Sequence, residues 1–227
     1  ADPICNSGSV PAYYVFPIPA VGQCTLANIP SAFGAIEGDF MLQVTAELNN
    51  LTGAEYIVEN GINGVVTGRL TLGLYQGSLV TWVAGVPACT GGSCVIADPW
   101  TSLQTSEIPL HVITDITIKR SNGTCSLLVN GTTAVSVTCD HDALIPPSSN
   151  GNSWSTFGVG AQKSAASSCG VNPLVSGTIT AITLIGGNET CTACPAGSYA
   201  DPGAFDCTAC APGTFSTEDG ATNASVC

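Results

Sequence analysis

Phe40-Met-Leu-Gln-Val-Thr-Ala-Glu-Leu48 decides the fold. Phe40, Leu42, Val44, Ala46 and Leu48 fall on one side of an extended chain, and Gln43, Thr45 and Glu47 on the other. A period of two sustained over this length marks a strand with one face buried and one wet. Leu70, Leu72 and Leu74 repeat the pattern, as do Leu110 and Val112, and then Ile116 and Ile118 set against Asp115, Thr117 and Lys119. Glycine, asparagine, serine and proline separate these short runs, and no amphipathic helix interrupts them. The pattern predicts an all-β sandwich over residues 36–187, with a last strand over 176–185 that ends at Gly186-Gly187.

On the N-terminal side, residues 3–36 carry no charge. Val10-Pro-Ala-Tyr-Tyr-Val-Phe-Pro-Ile-Pro-Ala-Val21 is apolar, and Pro11, Pro17 and Pro19 forbid both helix and central strand. Residues 1–35 therefore read as an extended arm. Such an arm either packs over its own domain or docks on a neighbouring copy, with Tyr13, Tyr14, Val15, Phe16 and Ile18 as the contact residues.

On the C-terminal side the texture changes after Gly187. Cys191-x2-Cys194-Pro-Ala-Gly-Ser-Tyr is followed by Cys207-x2-Cys210-Ala-Pro-Gly-Thr-Phe, and the chain closes at Cys227. Residues 188–227 form a tail with too little apolar material to offset chain entropy, so disulfides must hold it.

The chain has twelve cysteines and five sequons, at Asn50, Asn122, Asn130, Asn188 and Asn223. An even, high cysteine count beside acceptors for N-glycans implies the secretory pathway and an extracellular location. A start at Ala1 without methionine is what a trimmed signal peptide leaves. No apolar run reaches the ~18 residues of a membrane-spanning helix. Four Lys and Arg against sixteen Asp and Glu, a net charge of −12, exclude nucleic acid and anionic membrane as partners. With 44% apolar residues it is not an acidic disordered chain either.

Taken in order, five segments resemble the laminin-G-like, concanavalin A-like jelly-roll domain. They are Gly38-Asp-Phe-Met-Leu-Gln-Val, the run from Gly68 to Trp82, the run from Ile116 to Asn130-Gly131, Phe157-Gly-Val-Gly160, and the close from Ser176 to Ile185. Cys194-Pro-Ala-Gly-Ser-Tyr resembles the ephrin-receptor-like (EGF-like) cysteine-rich repeat. These resemblances imply a jelly-roll sandwich with a disulfide-rich tail, a fold that hosts sugar binding and, in some members, calcium binding.

Local geometry ranks the disulfides. Cys89-Thr-Gly-Gly-Ser-Cys94 is a tight glycine loop whose ends are expected to bond. Cys125 and Cys139 flank Asn130-Gly131, and a three-residue loop pairing Asn130 with Ala134 sets the two cysteines opposite each other. Proximity gives Cys5–Cys24, Cys169–Cys191, Cys194–Cys207 and Cys210–Cys227. The tail spacing also fits zinc, but the sequons and Cys227 favour disulfides.

Catalytic patterns are missing. Glu47, Glu55 and Glu59 stand singly, where a glycosidase needs two carboxylates across the bond. His111 reads as an outward strand residue. Asp140-His141-Asp142 is the densest group of possible ligands, either a calcium site through Asp140 and Asp142 or a solvated acidic turn. Trp82 reads as core, within a strand over 78–84, whereas Trp100 and Trp154 read as exposed candidates for a sugar platform.

The leading expectation is a non-enzymatic structural or adhesive glycoprotein that assembles with copies of itself, head to tail, into a filament through the arm or the tail. It requires no cofactor. The competing expectations are a carbohydrate-binding module on a cysteine-rich stalk, and an ectodomain fragment of a larger receptor.

Overall fold

Alternating apolar residues produce two six-stranded sheets that bury one core between them. The computed structural model describes residues 9–10, 13–29, 39–60, 70–83, 88–90, 93–95, 101–121, 123–139, 156–165, 168–186, 192–201 and 207–227. The sandwich strands are β1 (Tyr13–Val15), β2 (Thr25–Asn28), β3 (Phe40–Leu48), β4 (Ala54–Glu59), β5 (Leu70–Tyr75) and β6 (Ser78–Val83). They continue with β7 (Thr101–Thr105), β8 (Ile113–Ser121), β9 (Thr124–Val129), β10 (Thr132–Thr138), β11 (Thr156–Val159) and β12 (Gly177–Gly186). One sheet runs β10-β9-β8-β3-β12-β1 and the other β7-β6-β5-β4-β11-β2, antiparallel throughout. This is the all-β sandwich that the alternation predicts, with the jelly-roll form that the resemblance implies.

Strand β3 is its keel. Its inward row, Phe40, Leu42, Val44, Ala46 and Leu48, is fully buried between Ile116 and Ile118 of β8 and Ile182 and Leu184 of β12. From the facing sheet come Leu70, Leu72, Leu74, Leu79 and Phe157. Thr81 occupies a core position at the cost of one hydroxyl, which donates to the Thr71 carbonyl at 2.7 Å.

The arm lies on its own sandwich. Strand β1 is an edge strand, Val15 opposite Thr183 and Tyr13 opposite Ile185. An edge is where the flanking prolines are tolerated. Phe16 then turns in, 2% exposed, with its ring edge-on to Tyr14 (4.9 Å) and Phe157 (5.4 Å). Upstream, Ser9–Val10 pairs with Thr192–Ala193 at the start of the tail.

Three expectations need correction. First, Leu110 and Val112 do not continue the alternation: both are exposed, in a loop that precedes β8. Pro109 breaks the extended run, and His111 takes a left-handed φ of 59° while its N–H donates to the Leu48 carbonyl at 2.8 Å. His111 is thus a loop residue, not an outward strand residue. Second, the β9–β10 hairpin has a two-residue turn, with Val129 opposite Thr132. Asn130 (φ 49°) and Gly131 (φ 75°) both take the positive values of a type I′ turn, the conformation Asn-Gly favours. The extra residue is absorbed further along, where Leu128 faces Thr133 but Leu127 faces Val135, which leaves Ala134 as a bulge. Cys125 therefore faces Val137, and the expected Cys125–Cys139 bond closes diagonally with Cα atoms 5.6 Å apart.

The third correction is covalent. Cys24 bonds Cys169, Cα atoms 5.9 Å apart, which replaces both Cys5–Cys24 and Cys169–Cys191. Cys24 enters β2, β2 pairs with β11, and Cys169 lies on the side hairpin Gln162–Ala165/Ser168–Val171 that follows β11. Sheet pairing, not sequence proximity, brings the two together. Cys5 and Cys191 lie outside the described residues. Cys89 and Cys94 are register partners in a short antiparallel pair.

In the tail, Cys194–Cys207 and Cys210–Cys227 form as expected, with Cα separations of 5.6 and 5.5 Å. Among its described residues the buried ones are small: Cys194, Ala200 and Ala221, with Ser198 and Ser216. The Asp219 carboxylate accepts from the Ala196 N–H at 2.9 Å and ties the second half of the tail to the first. Among the described residues no helix is long and apolar enough to cross a membrane.

Candidate binding surface on the outer sheet face

The wet side of β3 meets the wet side of β8, and their register decides which polar groups come together. Thr45 faces Asp115 and Gln43 faces Thr117. These four side chains, with Gly131 of the hairpin turn, line a depression of about 360 Å³ on the outer face of the sheet. Its acid accepts one hydrogen bond, and the hairpin turn holds the backbone that carries it. The Thr45 hydroxyl donates to Asp115 Oδ1 at 2.8 Å, and the Asp115 N–H donates to Asn130 Oδ1 at 3.0 Å. The Asn130 N–H donates back to the Asp115 carbonyl at 2.8 Å. Below, the Thr180 hydroxyl donates to the Thr45 carbonyl at 3.0 Å. A carboxylate, an amide and two hydroxyls on rigid central strands make a surface that both donates and accepts. Among the described residues that line it, the only charge is negative, which suits neutral polyhydroxyl groups better than anions.

A second polar group lies buried at the far end of β4. Glu59 and Lys163, 3% and 1% exposed, sit beside Gln162, with Gln162 and Lys163 on the first strand of the side hairpin. Burial pushes the Glu59 carboxyl up to about 7, with the Gln162 hydrogen bond and the Lys163 charge pulling it partly back. Burial lowers the Lys163 ammonium to about 8 against the attraction of Glu59, and its Nζ donates to the Thr156 carbonyl at 2.7 Å. Gly158 is the register partner of Glu59 and has no room for a side chain, since a Cβ there would meet the Ala161 carbonyl at 2.5 Å and Lys163 Cγ at 3.2 Å. Glu55 is engaged structurally: its carboxylate accepts from the N–H groups of Val175 and Ser176 (both 2.9 Å) and from the Ser176 hydroxyl (2.6 Å).

The residues singled out in the sequence are scattered. Asp140, His141, Asp142, Trp100 and Trp154 lie outside the described residues, as do the sequons at Asn122 and Asn188 and the side chain of Trp82. Among the described residues no three His, Cys, Asp or Glu side chains cluster as a metal site would require. Of the assembly residues, Phe16 is buried in its own sandwich and Tyr14 and Ile18 pack against that core, which leaves Tyr13 and Val15 exposed. Gln43, Thr45, Asp115 and Thr117 were visible only as the polar members of two alternating runs.

The family model for tyrosine-protein kinase ephrin type A/B receptor-like sequences matches residues 183–227, the end of β12 and the tail. No curated protein matches the chain. Among solved structures, the chain is similar to domains LG4-5 of the mouse laminin α1 chain, at 12% identity and a TM-score of 0.44, over 75% of this chain and 41% of that one. It is also similar to sheep galectin-11 in complex with glycerol, at 12% identity and a TM-score of 0.37, over 74% and 98% of the two chains. Domain 4 of a GH43 extracellular arabinanase from Geobacillus stearothermophilus, in complex with arabinotriose, gives 17% identity and a TM-score of 0.47 over 82% and 80%.

Proposed function

We propose that this chain is an extracellular, non-catalytic recognition glycoprotein that binds neutral, hydroxyl-rich ligands of the glycan class on the outer face of the β3–β8 sheet, with the disulfide-rich tail as a spacer. The observation that carries this reading is the depression lined by Gln43, Thr45, Asp115 and Thr117, in which the Thr45 hydroxyl orients the Asp115 carboxylate, and Asn130 holds the Asp115 backbone, before any ligand arrives. Vicinal hydroxyls donate in pairs to a carboxylate, and an amide beside it supplies the complementary donor and acceptor. Orientation in advance spares the ordering cost of binding.

The test is an array of neutral glycans probed with the intact secreted chain, followed by titration of any hit. Asp115→Ala and Gln43→Ala should each weaken binding at least tenfold without changing the melting temperature by more than a few degrees. Unchanged affinity in both variants sinks the proposal.

A second reading, self-assembly into a head-to-tail filament, is favoured by one feature: β1 is an edge strand whose Tyr13 and Val15 remain exposed. Native sizing and electron microscopy decide it. Particles of one copy at all concentrations would exclude the filament and leave the recognition reading untouched.

A further inference from the structure

At the end of the sandwich opposite the tail, six apolar side chains stand in solvent: Val21, Tyr75, Leu110, Val112, Ile113 and Val175, between 39 and 65% exposed. An isolated exposed apolar residue needs no explanation, but a ring of them on a chain with so few charges does. The loop between β3 and β4 runs through the middle of the ring. The His111 N–H donates to the Leu48 carbonyl (2.8 Å), the Asn49 N–H to the Ser176 carbonyl (2.7 Å), and the Gly77 N–H to the Leu51 carbonyl (3.1 Å). Asn50 is therefore flanked by the 110–113 loop, the 172–176 loop and the 76–77 turn. Val21 joins through Gly22, whose N–H donates to the Leu174 carbonyl at 3.0 Å.

Asn50 opens a sequon, and its side chain is arranged differently from that of Asn130. Its Oδ1 accepts from both the N–H (3.0 Å) and the hydroxyl (2.8 Å) of Thr52. The amide oxygen is thus turned to the sequon threonine, and the nitrogen, the atom that carries an N-linked sugar, is left for the substituent. The Asn130 oxygen is instead spent on the Asp115 N–H inside a tight turn. Asn223 repeats the Asn50 arrangement with Ser225, but in the tail, away from the apolar ring.

We propose that an N-linked glycan on Asn50 covers this apolar end, so that the ring packs under sugar instead of facing water or another copy of the chain. The proposal rests on the secretory-pathway part of the functional reading. Its chemistry is simple: the C–H faces of the sugar lie on Val112, Ile113 and Val175, and its hydroxyls supply the hydration that charged residues provide elsewhere.

The experiment uses the full chain secreted from eukaryotic cells. Mass spectrometry reads the occupancy of each sequon, while sizing and binding of an apolar fluorescent dye read the exposed end. Wild type should carry sugar at Asn50 and stay monodisperse. Asn50→Gln and Thr52→Ala should raise dye binding several-fold and promote self-association, whereas Thr52→Ser, which keeps the sequon, and Asn223→Gln should behave as wild type. Enzymatic removal of glycans from the already folded wild type should give the same rise, which separates loss of the sugar from failure to fold. Asn50 bare while other sequons are occupied, or a deglycosylated protein with unchanged dye binding, overturns the proposal. A chain with no sequon occupied would overturn the secretory reading as well.

Discussion

Phe40, Leu42, Phe157 and their neighbours bury one continuous core between two sheets, whereas among the described residues of the tail the buried hydrophobic ones are Cys194, Ala200 and Ala221. Both regions carry two described disulfides, yet the bonds do different work in each. In the sandwich, Cys24–Cys169 and Cys125–Cys139 pin elements that the core already orders. In the tail, Cys194–Cys207 and Cys210–Cys227 take the place of a core. The same chemistry is thus an accessory in one half of the molecule and the principal restraint in the other, and the difference lies in how much apolar area surrounds it.

The strongest way to break this contrast is to damage the core alone. Phe157 is fully buried and contacts Phe16 from the arm, so Phe157→Ala removes a large side chain from the site where arm and sandwich meet. A loss of about 3–5 kcal/mol is expected in denaturant unfolding of the sandwich. The tail should keep its slow amide exchange under conditions where the sandwich has lost it. If the two regions lose protection together, they are one cooperative unit and the contrast fails.

The reverse experiment opens the tail. Cys194 and Cys207 are 13 residues apart, and a loop of that size is worth about 3 kcal/mol of chain entropy. The few small buried side chains of the tail cannot replace that amount. The double variant Cys194→Ala/Cys207→Ala should become protease-sensitive throughout residues 192–227 while the sandwich melts as before. The matching change in the sandwich, Cys125→Ala/Cys139→Ala, should lower its stability by a similar amount without unfolding it, because the inward row of β3 remains in place.

The buried Glu59–Lys163 pair adds a pH dependence that belongs to the sandwich alone. The raised Glu59 value means that the folded state holds its proton more tightly, so stability falls as the pH climbs from about 4.5 to about 7. The lowered Lys163 value means that the folded state gives up its proton more readily, so stability recovers as the pH climbs from about 8 to about 10.5. Wild type should therefore show a trough of at most about 3 kcal/mol between pH 7 and 8. Glu59→Gln with Lys163→Met should flatten it, as read from denaturant midpoints at each pH. An identical trough in the double variant would assign the dependence to other groups.

How much of this was legible beforehand follows from the range of the interactions. The sandwich was legible because a period of two records burial residue by residue. The tail bonds were legible because the partners lie 13 and 17 residues apart. Cys24–Cys169 was not, because its 145-residue separation is closed only by the β2–β11 pairing. Glu59 and Lys163 escaped for the same reason. Asp115 and Thr45 were each seen as outward residues, but the surface they form depends on the β3–β8 register, which no single run encodes. The Asn130-Gly131 turn differs again: Asn-Gly marks a hairpin, but its preference for a two-residue turn and a directly opposed Cys125 and Cys139 point to different loop lengths, and the turn preference prevails because the bond closes diagonally.

That turn offers the smallest and sharpest test. Gly131 has a φ of 75°, and a Cβ built there meets nothing within 4 Å. Gly131→Ala therefore isolates the backbone cost of the left-handed conformation, about 1 kcal/mol, free of any steric clash. The change keeps Asn130 and Thr132, so the sequon survives and any sugar there is held constant. If the bulge and the Cys125–Cys139 bond hold the register, the variant should lose about that amount, and β9–β10 should keep the pairing of Leu127 with Val135. If the type I′ turn sets the register instead, weakening it should let the hairpin slip to the wider loop that places Cys125 opposite Cys139. Cross-strand nuclear Overhauser contacts between Leu128 and Thr133 distinguish the two outcomes, since they persist in the first case and vanish in the second.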